Sequence, residues 1–348
     1  MEQSIKRIAI EEAFVTQEIA DEWAKLLAEG APREPGFRKM GETILADSPS
    51  TRLIHEQLID LGAARIAHMD ATGIAMQVLS ITSPGVQVFG AELATALARQ
   101  ANDRLSAAVK AHPDRFAGLA AVAPQNPTAA ALEIERAIQQ LDLCGVLINS
   151  HTFGEYLDDQ KYWEIFAAAE ANQVPIYLHP RTPSPAMIAP FLDYGLYFAG
   201  WGFTVETATH ALRLIMGGVF DCFPRLKIIL GHMGEGLPYW LQRLDNRYLL
   251  QVKIGAVQKM PRLPSEYFKE HFVITTSGVC SPPALRHALD VLGSDALLFA
   301  ADYPYESIEE AVSFLDSVMI SDQERRKIYQ TNAEKLFRLD FSASGLKN

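Results

Sequence analysis

Four ionisable side chains invite a chemical reading before any other part of the chain. Glu11 closes the apolar run Lys6-Arg7-Ile8-Ala9-Ile10, and His179 ends Val174–Leu178 just before Pro180. His232 follows Leu226–Leu230 and Gly231, and Asp302 follows Leu297–Ala301 and precedes Tyr303-Pro304. Each alone has an ordinary explanation: a core or loop histidine, a turn aspartate, a solvated strand end. Their recurrence at the ends of four separate apolar runs sets them apart. Carboxylates and imidazoles suit a borderline divalent metal such as Zn²⁺ or Mn²⁺. Three protein ligands would leave positions open for substrate or water, the mark of a catalytic metal site. Glu235, three residues after His232, is placed to support it. His55, His68, His112 and His287 fall in helical patterns and read as surface histidines, His210 as structural. His151 lies close to the same rim, with no partner that the sequence names.

To converge, these groups need a frame that gathers strand ends. The apolar runs 6–12, 75–81, 116–122, 144–148, 174–178, 226–230, 271–276 and 297–301 read as eight strands. Between them lie helical patterns at 16–30, 52–73, 92–112, 128–141, 160–172 and 204–220, and two helices close the chain. The strands are apolar throughout, as expected when helices cover one side and a packed interior the other. That alternation specifies a (β/α)₈ TIM-like barrel better than an open doubly wound sheet. No Gly-rich phosphate loop follows the first strand, which speaks against a dinucleotide fold. The whole chain, 1–348, reads as one barrel domain with a Pro- and Gly-rich insertion loop at 31–50 and a long active-site loop at 180–202. In such barrels catalytic groups sit at the C-terminal rim of the strands.

Composition narrows the partners. The 348 residues are 49% hydrophobic and carry a net charge of −11, with a pI near 5.3. Such a chain has no electrostatic reason to bind nucleic acid or an anionic membrane. An anionic substrate would need local cations or a metal. Cys144, Cys222 and Cys280 are sparse and unpatterned, which predicts reduced, buried, apolar thiols and a cytoplasmic protein. No apolar stretch is long enough to span a bilayer, and no signal peptide is expected.

The motifs IAIEEAF, INSHT, YLHP, GHMGEGLPYWLQRLD, TTSG and ADYPYE resemble the amidohydrolase-type decarboxylases of aromatic acids, over nearly the whole chain. That group includes γ-resorcylate, 2,3-dihydroxybenzoate and 5-carboxyvanillate decarboxylases. MDATGI, TSPGVQ and PYWLQRLD look most like the carboxyvanillate branch; Arg181, after His179-Pro180, looks more like the dihydroxybenzoate branches. The resemblance implies Glu11, His179 and Asp302 as ligands of one Mn²⁺ or Zn²⁺. It implies His232 as a catalytic base supported by Glu235. It implies Arg243, Arg181 and Arg52 as substrate-binding cations, Arg52 reaching into a neighbouring subunit of a homodimer or homotetramer. Ala13 stands where the wider superfamily has a second histidine, and the fourth strand has no lysine to carbamylate, which argues against a two-metal hydrolase.

The expected reaction is non-oxidative decarboxylation of a small hydroxylated aromatic acid. Direct loss of CO₂ would leave an aryl carbanion. Protonating the carboxyl-bearing ring carbon first avoids it, and an ortho hydroxyl makes that carbon more basic. Asp302 is the expected proton donor, fed or polarised by His232, although either could make the transfer. The alternative is a mononuclear metal hydrolase of a lactone or amide, in which the metal activates water.

Overall fold

Eight parallel strands pair in chain order: β1 (Ile8–Phe14), β2 (Met76–Ile81), β3 (Phe116–Ala121), β4 (Gly145–Asn149), β5 (Ile176–His179), β6 (Ile228–Leu230), β7 (Phe272–Thr275) and β8 (Leu297–Leu298). The structure is a computed structural model and describes residues 5–44, 46 and 48–339. The predicted domain limits 1 and 348, and positions 45 and 47 of the expected insertion loop, lie outside the described residues. Two bonds join the ends of the sheet: Ile10 N–H donates to Phe299 O (3.1 Å) and Ala13 N–H to Tyr303 O (2.7 Å). The barrel is thereby nearly closed. All eight C-terminal strand ends share one rim, as a (β/α)₈ barrel requires.

Helices cover the outside because their apolar positions recur on one face. The helix Ala91–Ala111 buries Ala94, Leu97, Ala98, Ala101, Leu105 and Val109, the i, i+3, i+4, i+7 stripe of an amphipathic helix. Among the described residues no helix is long and apolar enough to cross a membrane.

Several elements differ from their sequence reading for local reasons. The helical stretch 52–73 is two helices, Pro49–Ile59 and Ala63–Thr72. Asp60 separates them by accepting from Gly62 N–H (3.0 Å) and Arg65 N–H (2.5 Å). The stretch 31–50 is not only loop: it holds the helix Pro35–Ile44. Gly36 there lies so close to Thr182 that a Cβ would sit 2.5 Å from its Oγ1, which ties this segment to the loop after β5. The stretch 204–220 is split: one helix runs Gly202–Met216 with Gly217 as its C-cap, and Gly218, φ +78°, separates it from a short helix Val219–Cys222. β8 is only Leu297–Leu298, because the next residues give their backbone bonds elsewhere. Phe299 N–H donates to Ile328 O, Ala300 N–H to Thr276 Oγ1 and Ala301 N–H to Glu12 Oε1.

Candidate active site

β1 breaks its own register where its two carboxylates, Glu11 and Glu12, fall. Ala9 pairs with Gln77 and Glu12 with Leu79, so three steps on β1 oppose two on β2, a β-bulge. Glu11 and Glu12 are both buried, as is every residue of β1. Thr275 on β7 donates to Glu11 Oε2 (3.1 Å), while Glu11 Oε1 is buried without a hydrogen-bond partner. Burial pushes the Glu11 carboxyl above the ordinary range, and the His232 imidazole opposes that rise. Gly231 makes room for the carboxylate: a Cβ there would stand 3.1 Å from both of its oxygens and 3.0 Å from the Tyr177 hydroxyl.

His179, at the end of β5, is oriented by its own backbone. Its Nδ1 lies 2.9 Å from Pro180 O, which places the proton on Nδ1 and leaves the Nε2 lone pair facing inward. That Nε2 is 3.5 Å from Glu11 Oε1. Burial holds its pKa below the ordinary value, which favours the neutral, ligating form.

After β6 the chain turns left-handed for five residues, with φ of +50° at His232, +55° at Met233, +74° at Gly234, +53° at Glu235 and +73° at Gly236. Non-glycine residues enter this region at a cost of roughly 1–2 kcal/mol each. Gly231 O holds the turn by accepting from Gly234 N–H (2.7 Å) and Glu235 N–H (3.2 Å). The result is an unbroken handover from one side chain to the next. Glu235 Oε1 is 3.0 Å from His232 Nδ1, and His232 Nε2 is 3.4 Å from Asp302 Oδ2. Burial lowers the His232 pKa, but Glu235, Glu11 and Asp302 together outweigh it and raise it well above the ordinary value. Asp302 is itself left-handed, at φ +69°. Gly278, after β7, leaves the space beside this pair open: its Cβ would lie 3.2 Å from His232 Cδ2 and 3.9 Å from Asp302 Oδ2.

The rim thus carries two facing pairs, Glu11 with His179 and His232 with Asp302. Among the described residues no group of three or more His, Cys, Asp or Glu side chains is arranged so as to hold a metal ion as it stands. The chemistry of Glu11 and His179 nevertheless suits a divalent ion: a buried, unpartnered carboxylate oxygen and, 3.5 Å away, an imidazole nitrogen with its lone pair toward it. Thr275 and Tyr177 were not singled out from sequence. Tyr177 lies two residues before His179 and therefore on the same face of β5, a period-two signal that was available. No comparable signal marked Thr275.

The arginines divide. Arg181 is not a free cation at the site. Its side chain is fully buried, paired with Glu34 at 2.5 Å and donating to His151 O at 2.8 Å. It fastens the start of the loop after β5 to the 31–50 segment. Arg243 is exposed on the helix Leu237–Lys253 and lines a groove of about 370 Å³ with Glu235, Trp201 and Trp240. Arg52 is exposed in the first turn of Pro49–Ile59. His151 is buried; it accepts from Gly154 N–H and lies 3.1 Å from Thr182 O. His210 is structural as expected, accepting from Leu157 N–H at 3.0 Å and meeting Ser150 Oγ at 3.2 Å. The cysteines depart from expectation: Cys222 is exposed and Cys144 and Cys280 only half-buried, because all three fall at the margins of strands and helices. Burial still pushes the Cys144 thiol up to about 12.

Comparison with known proteins places this geometry. The amidohydrolase family model matches residues 20–339. γ-Resorcylate decarboxylase of a Polaromonas species is 36% identical, over 96% of this chain and 99% of its own. The crystal structure of 5-carboxyvanillate decarboxylase from Novosphingobium aromaticivorans, with manganese and 4-hydroxy-3-methoxy-5-nitrobenzoic acid, is 42% identical, with a TM-score of 0.94 over 97% of each chain. A dihydroxybenzoic acid decarboxylase from Polaromonas, with manganese and 2-nitroresorcinol, is 35% identical, with a TM-score of 0.84 over 97% of this chain and 98% of that one.

Proposed function

The chain belongs to the amidohydrolase family, and from that premise we infer its reaction from the site. It is a metal-dependent decarboxylase, a carboxy-lyase, of a hydroxylated aromatic acid. We assign the substrate to the 5-carboxyvanillate or dihydroxybenzoate type, and the metal ligands to Glu11, His179 and Asp302. The observation that carries the assignment is the Glu235–His232–Asp302 series, at 3.0 and 3.4 Å, facing the Glu11–His179 pair across the same rim.

A divalent ion at these ligands would hold the substrate's phenolate and carboxylate oxygens together. The protein's own groups account for the rest. Fixing the ring in one orientation lowers the barrier by removing rotational freedom before the reaction. His232, whose neighbours keep it protonated, passes its proton to Asp302 3.4 Å away, and Asp302 delivers it to the carboxyl-bearing ring carbon; water then returns a proton to His232. The ring loses aromaticity, the C–C bond to the carboxylate breaks, its electron pair restores the ring, and CO₂ leaves. Glu235 keeps His232 in one orientation through Nδ1. Arg243 meets a remaining anionic substituent, bidentately if it is a carboxylate. In a chain of net charge −11 such a cation acts locally.

A homodimer or homotetramer is part of the same reading. Trp201 and Trp240 expose about half their surface on the groove that Arg243 lines, and apolar surface of this kind favours association. From the resemblance, Arg52 is the cation that a neighbouring copy would supply to the site. Light scattering on the purified protein tests the assembly.

The reaction is tested by ultraviolet assay of 5-carboxyvanillate, 2,3-dihydroxybenzoate, 2,6-dihydroxybenzoate and salicylate with Mn²⁺ and with Zn²⁺. One of the first three should release stoichiometric CO₂. Turnover of none, with hydrolysis of a lactone instead, would overturn the assignment.

A further inference from the structure

Glu12 makes no contact that the proposed reaction uses, yet it is fully buried and both of its oxygens are hydrogen-bonded. Its Oε1 accepts from Ala301 N–H at 3.0 Å, and its Oε2 from Gln77 Nε2 at 3.3 Å. Gln77 Oε1 in turn accepts from Arg65 Nη1 at 3.3 Å. Arg65 is anchored by Ala13 O (2.8 Å), Gln57 O (2.7 Å) and Asp60 O (2.7 Å), and its guanidinium lies 4.9 Å from the centre of the Tyr303 ring. Ala13 N–H donates to Tyr303 O at 2.7 Å. Asp302 therefore sits between two residues, Ala301 and Tyr303, that are each fastened to the bulged end of β1.

The arrangement answers a need visible on the page. Asp302 occupies a left-handed conformation, φ +69°, sparsely populated for any residue with a side chain although aspartate tolerates it better than most. The β8 ladder stops at Leu298, so ladder bonds do not reach it. We propose that Glu12 is a positioning residue: through Ala301 it fixes the separation of Glu11 and Asp302, and with it the affinity of the site for its metal. This rests on the reading of Glu11 and Asp302 as ligands. The bulge spans Glu11 and ends at Glu12, which meets the β8 end through Ala301 N–H, so one distortion of β1 would set both carboxylates.

The test is Mn²⁺ affinity by calorimetry, with melting temperature followed in parallel. Glu12→Met keeps the volume and removes the acceptor, and Glu12→Gln keeps an acceptor for Ala301 N–H. The expected result is Mn²⁺ binding weakened roughly tenfold in E12M, the loss of about one hydrogen bond, and restored to within about threefold in E12Q. A purely structural role would lower the melting temperature of E12M and leave its Mn²⁺ affinity at the wild-type value; that outcome overturns the proposal. Should E12M not fold, amide exchange at Ala301 in the wild-type protein decides: protection deepened by Mn²⁺ supports the role, and exchange as fast as an open loop refutes it. Glu11→Gln and Asp302→Asn serve as controls. If neither weakens Mn²⁺ binding, the ligand assignment itself has failed; if both do and E12M does not, only the role of Glu12 has.

Discussion

Replacing Gly234 by alanine perturbs the turn that aims His232. Gly234 has φ +74°, and a Cβ on it would lie 2.8 Å from Ile274 Cγ2 and 3.2 Å from Pro238 Cδ. Left-handed backbone costs an alanine about 1–2 kcal/mol. Forcing a methyl into a packed wall costs about 1–3 kcal/mol more. Both opposing groups are held, one by β7 and the other by a proline ring, so relaxation must come from the turn itself. The expected destabilisation is about 2–5 kcal/mol. For a chain of 348 residues this lowers the melting temperature by roughly 3–7 °C. Because the turn carries both His232 and Glu235, turnover of the folded variant should fall about tenfold or more, since misplacement of a reacting group by about 1 Å costs up to 10². Calorimetric melting and steady-state kinetics on the Mn²⁺-loaded protein check both effects. A variant that melts within about 1 °C of wild type and turns over at the wild-type rate would show that the left-handed turn does not position the site.

Three further outcomes follow from the geometry. His232→Asn should lower turnover on the order of 10²-fold or more while Mn²⁺ content, read by metal analysis, stays at the wild-type value. Glu34→Leu leaves the Arg181 guanidinium buried without its carboxylate and should destabilise by about 3–5 kcal/mol, measured by denaturant unfolding; an unchanged midpoint would return Arg181 to the list of free cations. His210 is buried and its pKa is pushed down to about 3, so the folded state keeps it neutral while the unfolded chain takes up a proton below about 6.5. Its contribution to stability is complete above that pH and is lost as pH falls toward 3; at pH 5 the loss is about 2 kcal/mol. In His210→Asn the drop in unfolding free energy between pH 7.5 and 5 should shrink by about that amount.

Much of this frame was legible in the sequence because strand ends are local. An apolar run closed by His-Pro, Gly-His or Asp-Tyr-Pro announces both the strand and the side chain at its rim, and the observed strands fall close to the predicted ones. What was not legible depends on partners far along the chain. Arg181 looked available because nothing near it is acidic; its partner Glu34 is 147 residues away. The part Glu12 plays was not legible because the register shift between Ala9 and Glu12 has no signature in residue type. The left-handed turn was partly announced by Gly234 and Gly236, but the positive φ of His232, Met233 and Glu235 is set by Gly231 O and the packing behind it. The stretch 31–50 was read as loop from its prolines and glycines, whereas Pro35 opens a helix, where its missing N–H costs nothing.

The claim on which the rest stands is that Glu11, His179 and Asp302 hold one divalent ion. Crystals grown with Mn²⁺ and measured at the manganese edge test it most directly. The account predicts a single anomalous peak about 2.0–2.3 Å from Glu11 Oε1, His179 Nε2 and an Asp302 carboxylate oxygen, and its loss in Glu11→Gln. A peak elsewhere on the molecule, or none at this rim with Mn²⁺ in excess, would contradict it.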